Sequence, residues 1–272
     1  MKHPQIIESP SNQKIKEVVS IRDEKETSDL WFAEGLRIIQ AAGNSPAEIK
    51  ELFVTDEFLR KELSLEKLTA PSRPVITRIS GRVAKKLSGT ETPQGIFGIV
   101  RFRKKRIREI EPAPHEMIPV LDRIQDPGNV GAIIRTADAF GTKNIVLLEG
   151  TCSPSNQKVI RASAGSVFHM NLVTAPAGEF IQWARDKKVS IIVADAQAKK
   201  TLDAMLPAGT AAVVFGNEAS GASAFLKKAA DDMFRIPIPG GAESLNVAIT
   251  AAIVLYASIV SKGDQGKRRA IS

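Results

Sequence analysis

The feature that most restricts this chain is a set of short, uninterrupted apolar runs in its second half, separated by helix-length amphipathic patterns. Ile145 to Leu148 reads IVLL, Ser190 to Ala194 ends in IIVA, and Ala211 to Phe215 reads AAVVF. A strand with one wet face alternates apolar and polar residues. A strand that is apolar throughout is covered on both faces, as in a parallel sheet sandwiched between helices. Met117 to Leu121 and Phe234 to Ile236 extend the series, with helical patterns at 130–140, 177–187, 222–230 and 245–260. The alternation predicts an α/β domain with a mostly parallel sheet. Ligands of such sheets bind beyond the carboxyl ends of the strands, so chemistry is expected in the loops after Leu121, Phe215 and Ile236.

The first hundred residues form a second, smaller α/β pattern. Helices are expected at 12–22 and 36–42, the latter ended by Gly43, and again at 56–63 and 82–87. Strands are expected at 49–55, 75–77 and 95–100. Between the halves lies Arg101-Phe102-Arg103-Lys104-Lys105-Arg106-Ile107-Arg108, six basic residues in eight positions, followed by Pro112 and Pro114. A charge run followed by prolines reads as a domain boundary. The expected division is 1–105, a basic proline-bearing linker at 106–115, a second domain at 116–262 and a basic tail at 263–272.

Charge is uneven along the chain. Residues 1–110 carry 21 Lys/Arg against 15 Asp/Glu, a surplus of +6, out of a net +8 for all 272 residues. A basic surplus and the run Arg101, Arg103, Lys104, Lys105 and Arg106 suit binding to phosphates with release of counterions. A soluble basic protein without a nucleic-acid role has the same composition. One cysteine, Cys152, excludes an internal disulfide and fits a reducing compartment. With His3, His115 and His169 as the only histidines, no metal site is expected. No membrane span or secretory leader is expected either, and the chain reads as cytoplasmic. G-x-G-x-x-G after a strand and the P-loop pattern are both missing, which removes support for a dinucleotide enzyme or a P-loop NTPase.

Three segments stand at strand ends. The first runs from Leu121 to Gly141 (LDRIQDPGNVGAIIRTADAFG), the second from Phe215 to Gly221 (FGNEASG), and the third from Ile236 to Ala248 (IPIPGGAESLNVA). In order and spacing they resemble the three motifs of the SpoU (TrmH) branch of the SPOUT methyltransferases. Ser11 to Lys16, Phe32 to Arg37 and Thr92 to Gly95 are similar to that family's ribosomal-protein-like substrate-binding domain. The resemblance implies a C-terminal domain tied in a deep trefoil knot, an exception to ordinary chain topology. It also implies S-adenosylmethionine bound there by backbone groups at Gly216, Ile236 and Leu245. The protein would be a homodimer whose sites are completed across the interface, and the reaction methyl transfer to a ribose 2′-hydroxyl of RNA, ribosomal more than transfer RNA.

The same resemblance implies roles for Asn129, Arg135, Glu218, Ser244 and Asn246, and each has a plainer reading. Arg135 lies in a helical pattern whose inward stripe is Val130, Ile133, Ile134 and Ala137. A guanidinium with a pKa above about 12 is a poor base, so phosphate binding and stabilisation of a forming alkoxide fit it better. Its plain alternative is a surface pair with Asp138. Asn129 reads equally as the cap of its helix, Ser244 as the cap of the last helix, and Glu218 as a solvated loop acid. Two competing functions remain at this stage: an RNA-binding protein that keeps the fold without methyl transfer, and a doubly wound enzyme acting on small molecules.

Overall fold

The computed structural model describes residues 6–23, 29–61, 74–205 and 209–269, the last nine of them by backbone only. The chain divides into two compact units. The first comprises residues up to Arg103 together with Ser153–His169; the second comprises Lys104–Cys152 and Met170 onward. The segment 153–169 thus belongs with the first unit, although the sequence placed it inside a continuous second domain at 116–262.

The first unit contains α1 (Gln13–Asp23), β1 (Leu30–Glu34), α2 (Leu36–Gly43), β2 (Glu48–Thr55), α3 (Asp56–Lys61), β3 (Val75–Ile79), α4 (Gly81–Leu87) and β4 (Ile96–Arg101). The helix expected at 56–63 is described to Lys61, and its last two residues lie outside the described set. The four strands form one sheet in the order β1-β4-β2-β3, with β4 antiparallel to both neighbours and β2 parallel to β3. Ile15 and Val18 of α1, Phe32, Phe53 and Phe97 of the sheet, and Val83 and Leu87 of α4 make one core. The borrowed segment supplies α5 (Gln157–Ala162) and a 3₁₀ turn, Ser166–His169. Phe168 of that turn packs with Trp31 and Phe102, ring centroids 6.0 and 5.5 Å away. At Gly165, with φ +92°, a Cβ would lie 2.5 Å from that of Ala41, so only glycine lets this segment approach α2.

The second unit opens with a 3₁₀ turn, Ile107–Glu109, then β5 (Met117–Leu121), α6 (Pro127–Ala139), β6 (Asn144–Leu148), β7 (Asn171–Ala175), α7 (Ala177–Asp186), β8 (Ser190–Ala194), β9 (Lys200–Thr201), β10 (Ala211–Phe215), α8 (Ala224–Ala229), β11 (Asp232–Arg235) and α9 (Val247–Arg269). The expected linker is therefore partly built into this unit: Ile107 and Ile110 are buried in its core. Helix α9 also continues through the segment read as a tail, to Arg269.

All seven strands are parallel, in the order β7-β6-β5-β10-β8-β11-β9. The chain builds β5, β6 and β7 outward on one side. It then crosses to lay β8 two places from β5 on the other, and β10 later fills the gap between them. That reversal is a topological switch point, where the carboxyl ends of an open α/β sheet leave a crevice. β5 and β10, which flank it, are buried at every position, as their unbroken apolar sequences require.

Candidate active site

Three strand ends meet beside β10. The loops after β8, β10 and β11 and the start of α9 line a cavity of about 510 Å³, within the range of roughly 300–1,000 Å³ usual for a small-molecule site. Gly216, Ile236 and Leu245 all line it, as do Glu218, Ser244 and Asn246.

The loop after β10 is tightly folded. Asn217 and Gly221 exchange backbone hydrogen bonds of 3.1 and 2.9 Å, and Asn217 Oδ1 accepts from the amides of Ala219 and Ser220 at 3.0 and 3.1 Å. A Cβ on Gly216 would sit 2.0 Å from the amide nitrogen of Ala222. Only glycine fits there, and it presents bare backbone to the cavity.

The three motif segments are joined by one line of hydrogen bonds. Asn246 Nδ2 donates to Asn129 Oδ1 at 2.9 Å, and Asn129 Nδ2 donates to Glu218 Oε1 at 3.0 Å. Asn217 Nδ2 adds a longer bond to Glu218 Oε2 at 3.4 Å and a firm one to the carbonyl of Arg123 at 2.9 Å. A carboxylate only accepts, and an amide both donates and accepts, so this Asn–Asn–Glu ladder has a fixed direction ending on the acid.

Two capping assignments change. Asp126, not Asn129, caps α6: its side chain accepts from the Asn129 amide at 2.9 Å, with Pro127 in the first turn. Proline is preorganised for the first helical position, which fixes the start of the helix ahead of Asn129. At α9 the capping side chain is Asn246, whose Oδ1 accepts from Ala248 and Ile249 at 2.9 and 3.3 Å, rather than Ser244. The first change leaves the Asn129 side chain to the ladder.

Arg135 points elsewhere. It lies on the exposed face of α6, opposite the buried Val130, Ile133, Ile134 and Ala137, and is not part of the cavity lining. The basic run is dispersed: Arg101, in β4, pairs with Glu48 at 3.2 Å, while the Lys105 amide donates to Leu172 at 2.9 Å beside β7. Arg103 and Arg106 are exposed and Lys104 half-buried.

The cavity also holds groups that the sequence reading missed. Asp195, directly after β8, lines it and pairs with Lys227 of α8 at 2.5 Å. Burial raises the Asp195 carboxyl, but the Lys227 ammonium and the Gln197 amide outweigh that effect and leave it below its ordinary value. The available signal was positional, an acid at the carboxyl end of an apolar strand. Among the described residues no cluster of His, Cys, Asp and Glu suited to a metal occurs.

Residues 116–256, the whole sheet and the first part of α9, match the SpoU rRNA Methylase family, and residues 12–98 match the MRM3-like substrate binding domain. The chain belongs to the SpoU rRNA methylase family. Among its relatives is the Bacillus subtilis 23S rRNA (guanosine(2553)-2′-O)-methyltransferase RlmP, 31% identical over 92% of this chain and 97% of that protein. A 23S rRNA (adenosine(1067)-2′-O)-methyltransferase of Streptomyces laurentii is 33% identical, over 65% of this chain and 67% of the relative. An AdoMet-bound rRNA methyltransferase from Sinorhizobium meliloti superposes with a TM-score of 0.84 at 28% identity, covering 93% and 97% of the two chains. The fold expectation therefore holds: an α/β SPOUT-type domain with a mostly parallel sheet follows a small substrate-binding domain.

Proposed function

We propose that this SpoU-family enzyme transfers a methyl group from S-adenosylmethionine to a ribose 2′-hydroxyl of ribosomal RNA, in the cytoplasm, and that it acts as a homodimer. The observation that carries the reading is the Asn246–Asn129–Glu218 ladder on the rim of the cavity, because it draws all three motif loops to one point. The residues fit the donor. The cavity is large enough, and the Gly216 cradle offers backbone amides and carbonyls of the kind that pair with an adenine edge. The donor supplies an electrophilic methyl on a positively charged sulfur, so the chain needs no metal to activate it. In this reading Gly216, Ile236 and Leu245 hold the donor by backbone, and the segment from Ile236 to Asn246 closes the knot around it.

The side chains have the remaining work of holding a weakly acidic hydroxyl and removing its proton. Asn129 and Asn246 each keep a second amide hydrogen beyond the ladder, free to orient the ribose. Ser244 stands beside them. Glu218 fixes the polarity of both amides by accepting at the end of the line. Arg135 stabilises the forming alkoxide and the neighbouring phosphate as a bidentate donor. Because it lies off the cavity of its own chain, it serves the site of the partner subunit. Ile249, Tyr256, Ile259 and Val260 give α9 an exposed apolar face beside α6, where Tyr256 meets Phe140 at 6.1 Å, and this face supports dimerisation. Arg103, Lys104 and Arg106 contribute phosphate contacts for RNA.

Calorimetric titration with S-adenosylmethionine tests the reading. One site per chain is expected, abolished by Gly216→Val, whose branched side chain has no room beside Ala222. Donor binding that survives Gly216→Val would place the donor elsewhere and overturn the assignment.

A further inference from the structure

Asp122 and Arg123 leave β5 on the outer side of the donor loop, and Arg123 holds a left-handed backbone with φ +58°. Unlike glycine, a long side chain adopts this conformation only at an energetic cost, and such residues persist where their surroundings over-determine them. The surroundings here are explicit. The Arg123 amide donates to Thr151 Oγ1 at 2.9 Å, and Thr151 in turn donates to the Leu121 carbonyl at 2.8 Å. The Arg123 carbonyl accepts from Asn217 Nδ2 at 2.9 Å, and its guanidinium donates through Nη2 to the Gly221 carbonyl at 3.3 Å. Nε donates to Asp122 Oδ1 at 3.1 Å, while Asp122 Oδ2 accepts from the Ser223 amide at 2.7 Å.

Two consecutive residues therefore grip the loop at its beginning, its end and just past it, at Asn217, Gly221 and Ser223. None of these grips reaches into the cavity, since neither Asp122 nor Arg123 lines it. We infer that Arg123 is a positioning residue for the methyl donor, with its left-handed turn and its guanidinium holding the Gly216–Ala222 loop in the shape that accepts the donor's adenosine. The inference rests on the donor assignment made above. Its physical logic is preorganisation. A loop of small residues that is bare of side chains at Gly216 would lose order without an external brace, and ordering it on binding would then weaken donor affinity.

Two substitutions separate the brace from the strain. Arg123→Gly removes the guanidinium and makes φ +58° free of cost. Arg123→Ala removes the guanidinium but keeps the strain. Both leave the backbone grip on Asn217 in place. Donor dissociation constants should rise about tenfold in both variants, with the KM for donor following and kcat and the KM for RNA within about twofold of the parent chain. Amide hydrogen exchange across 216–223 should quicken in both. Arg123→Gly should melt above Arg123→Ala, because only glycine relieves the strain. Thr142→Ala, which removes a buried hydroxyl bond to Met117 at the opposite end of β5, should lower the melting temperature and leave donor affinity unchanged. That control shows that lost stability alone does not move the readout.

Donor affinity within twofold of the parent in either arginine variant would overturn the inference. So would a loss confined to kcat or to RNA affinity, which would make Arg123 a substrate contact instead. If the unaltered chain takes up no donor at all, the donor assignment itself fails, and the brace falls with it.

Discussion

Each unit of this protein surrounds one motif carboxylate with donors, and the two carboxylates end in opposite situations. Glu34, at the end of β1, has a side chain only 6% exposed. It accepts from the hydroxyl of Ser88, from the Gly89 amide at 3.1 Å and from Thr90 Oγ1 at 3.3 Å, and faces Arg161 of the borrowed segment at 3.7 Å. Glu218 is exposed, and its donors are the side-chain amides of Asn129, from another motif loop, and of Asn217 beside it. A buried acid whose lone pairs are consumed by its own unit is a fastening. An exposed acid that ends a line of amides beside a cavity is available to a ligand. Both lie in segments that resemble family motifs, so motif membership alone does not separate stability from chemistry; burial and the identity of the donors do.

On the chemical side, Arg135→Ala should lower turnover by about 10²–10³-fold, the usual loss when one donor to a developing oxyanion is removed, with donor affinity and melting temperature unchanged. Steady-state kinetics beside calorimetry checks this, and near-parental turnover would remove Arg135 from the reaction. On the fastening side, Glu34→Ala should leave Arg161 without its partner and cost about 3 kcal/mol of stability, as expected for breaking a largely buried pair. Donor affinity should be unchanged, and denaturant titration reads the stability loss directly. A Glu34 variant that is stable but inactive would reverse the assignment of the two acids.

The smallest effect concerns the Asp195–Lys227 pair, which lies between the two extremes. Its folded carboxyl is held below the ordinary value by the outcome of the opposing effects described above. The stability it contributes is therefore fully present above an unfolded aspartate's midpoint of about 3.9 and is lost as pH falls through the lower folded value. For a pair with one partly exposed partner the contribution is under about 1 kcal/mol. Lys227→Met should flatten that acid-side loss, measured as stability against pH between neutral and strongly acidic solution; an unchanged profile would show the pair to be inert.

The parallel sheet was legible because strands buried on both faces cannot hide their composition: IVLL, IIVA and AAVVF have no polar face to confuse with a surface strand. The loops that carry Gly216, Ile236, Leu245 and Asn246 were legible because ligands of such sheets sit at strand carboxyl ends, and the individual residues followed from the resemblance to the SpoU motifs. Other features were hidden for identifiable reasons. The α6 cap was misread because Asp126 and Asn129 are both good caps, and only the fixed φ of Pro127 chooses between them. Segment 153–169 joins the first unit through Gln157, whose amide donates to the Phe32 carbonyl at 2.8 Å, and through Phe168. Those contacts span more than a hundred residues and leave no local periodicity. The left-handed turn at Arg123 is set by Thr151, Asn217 and Gly221, none of them its neighbour in sequence.

The most direct test of the central claim is transfer of a labelled methyl group from S-adenosylmethionine to purified ribosomal RNA by the isolated protein, followed by mapping of the product by resistance to alkaline cleavage. The predicted result is one ribose in ribosomal RNA labelled at its 2′-oxygen, lost when Asn129 and Arg135 are replaced together. Label found on a base, or donor bound with no transfer to any RNA, would contradict it.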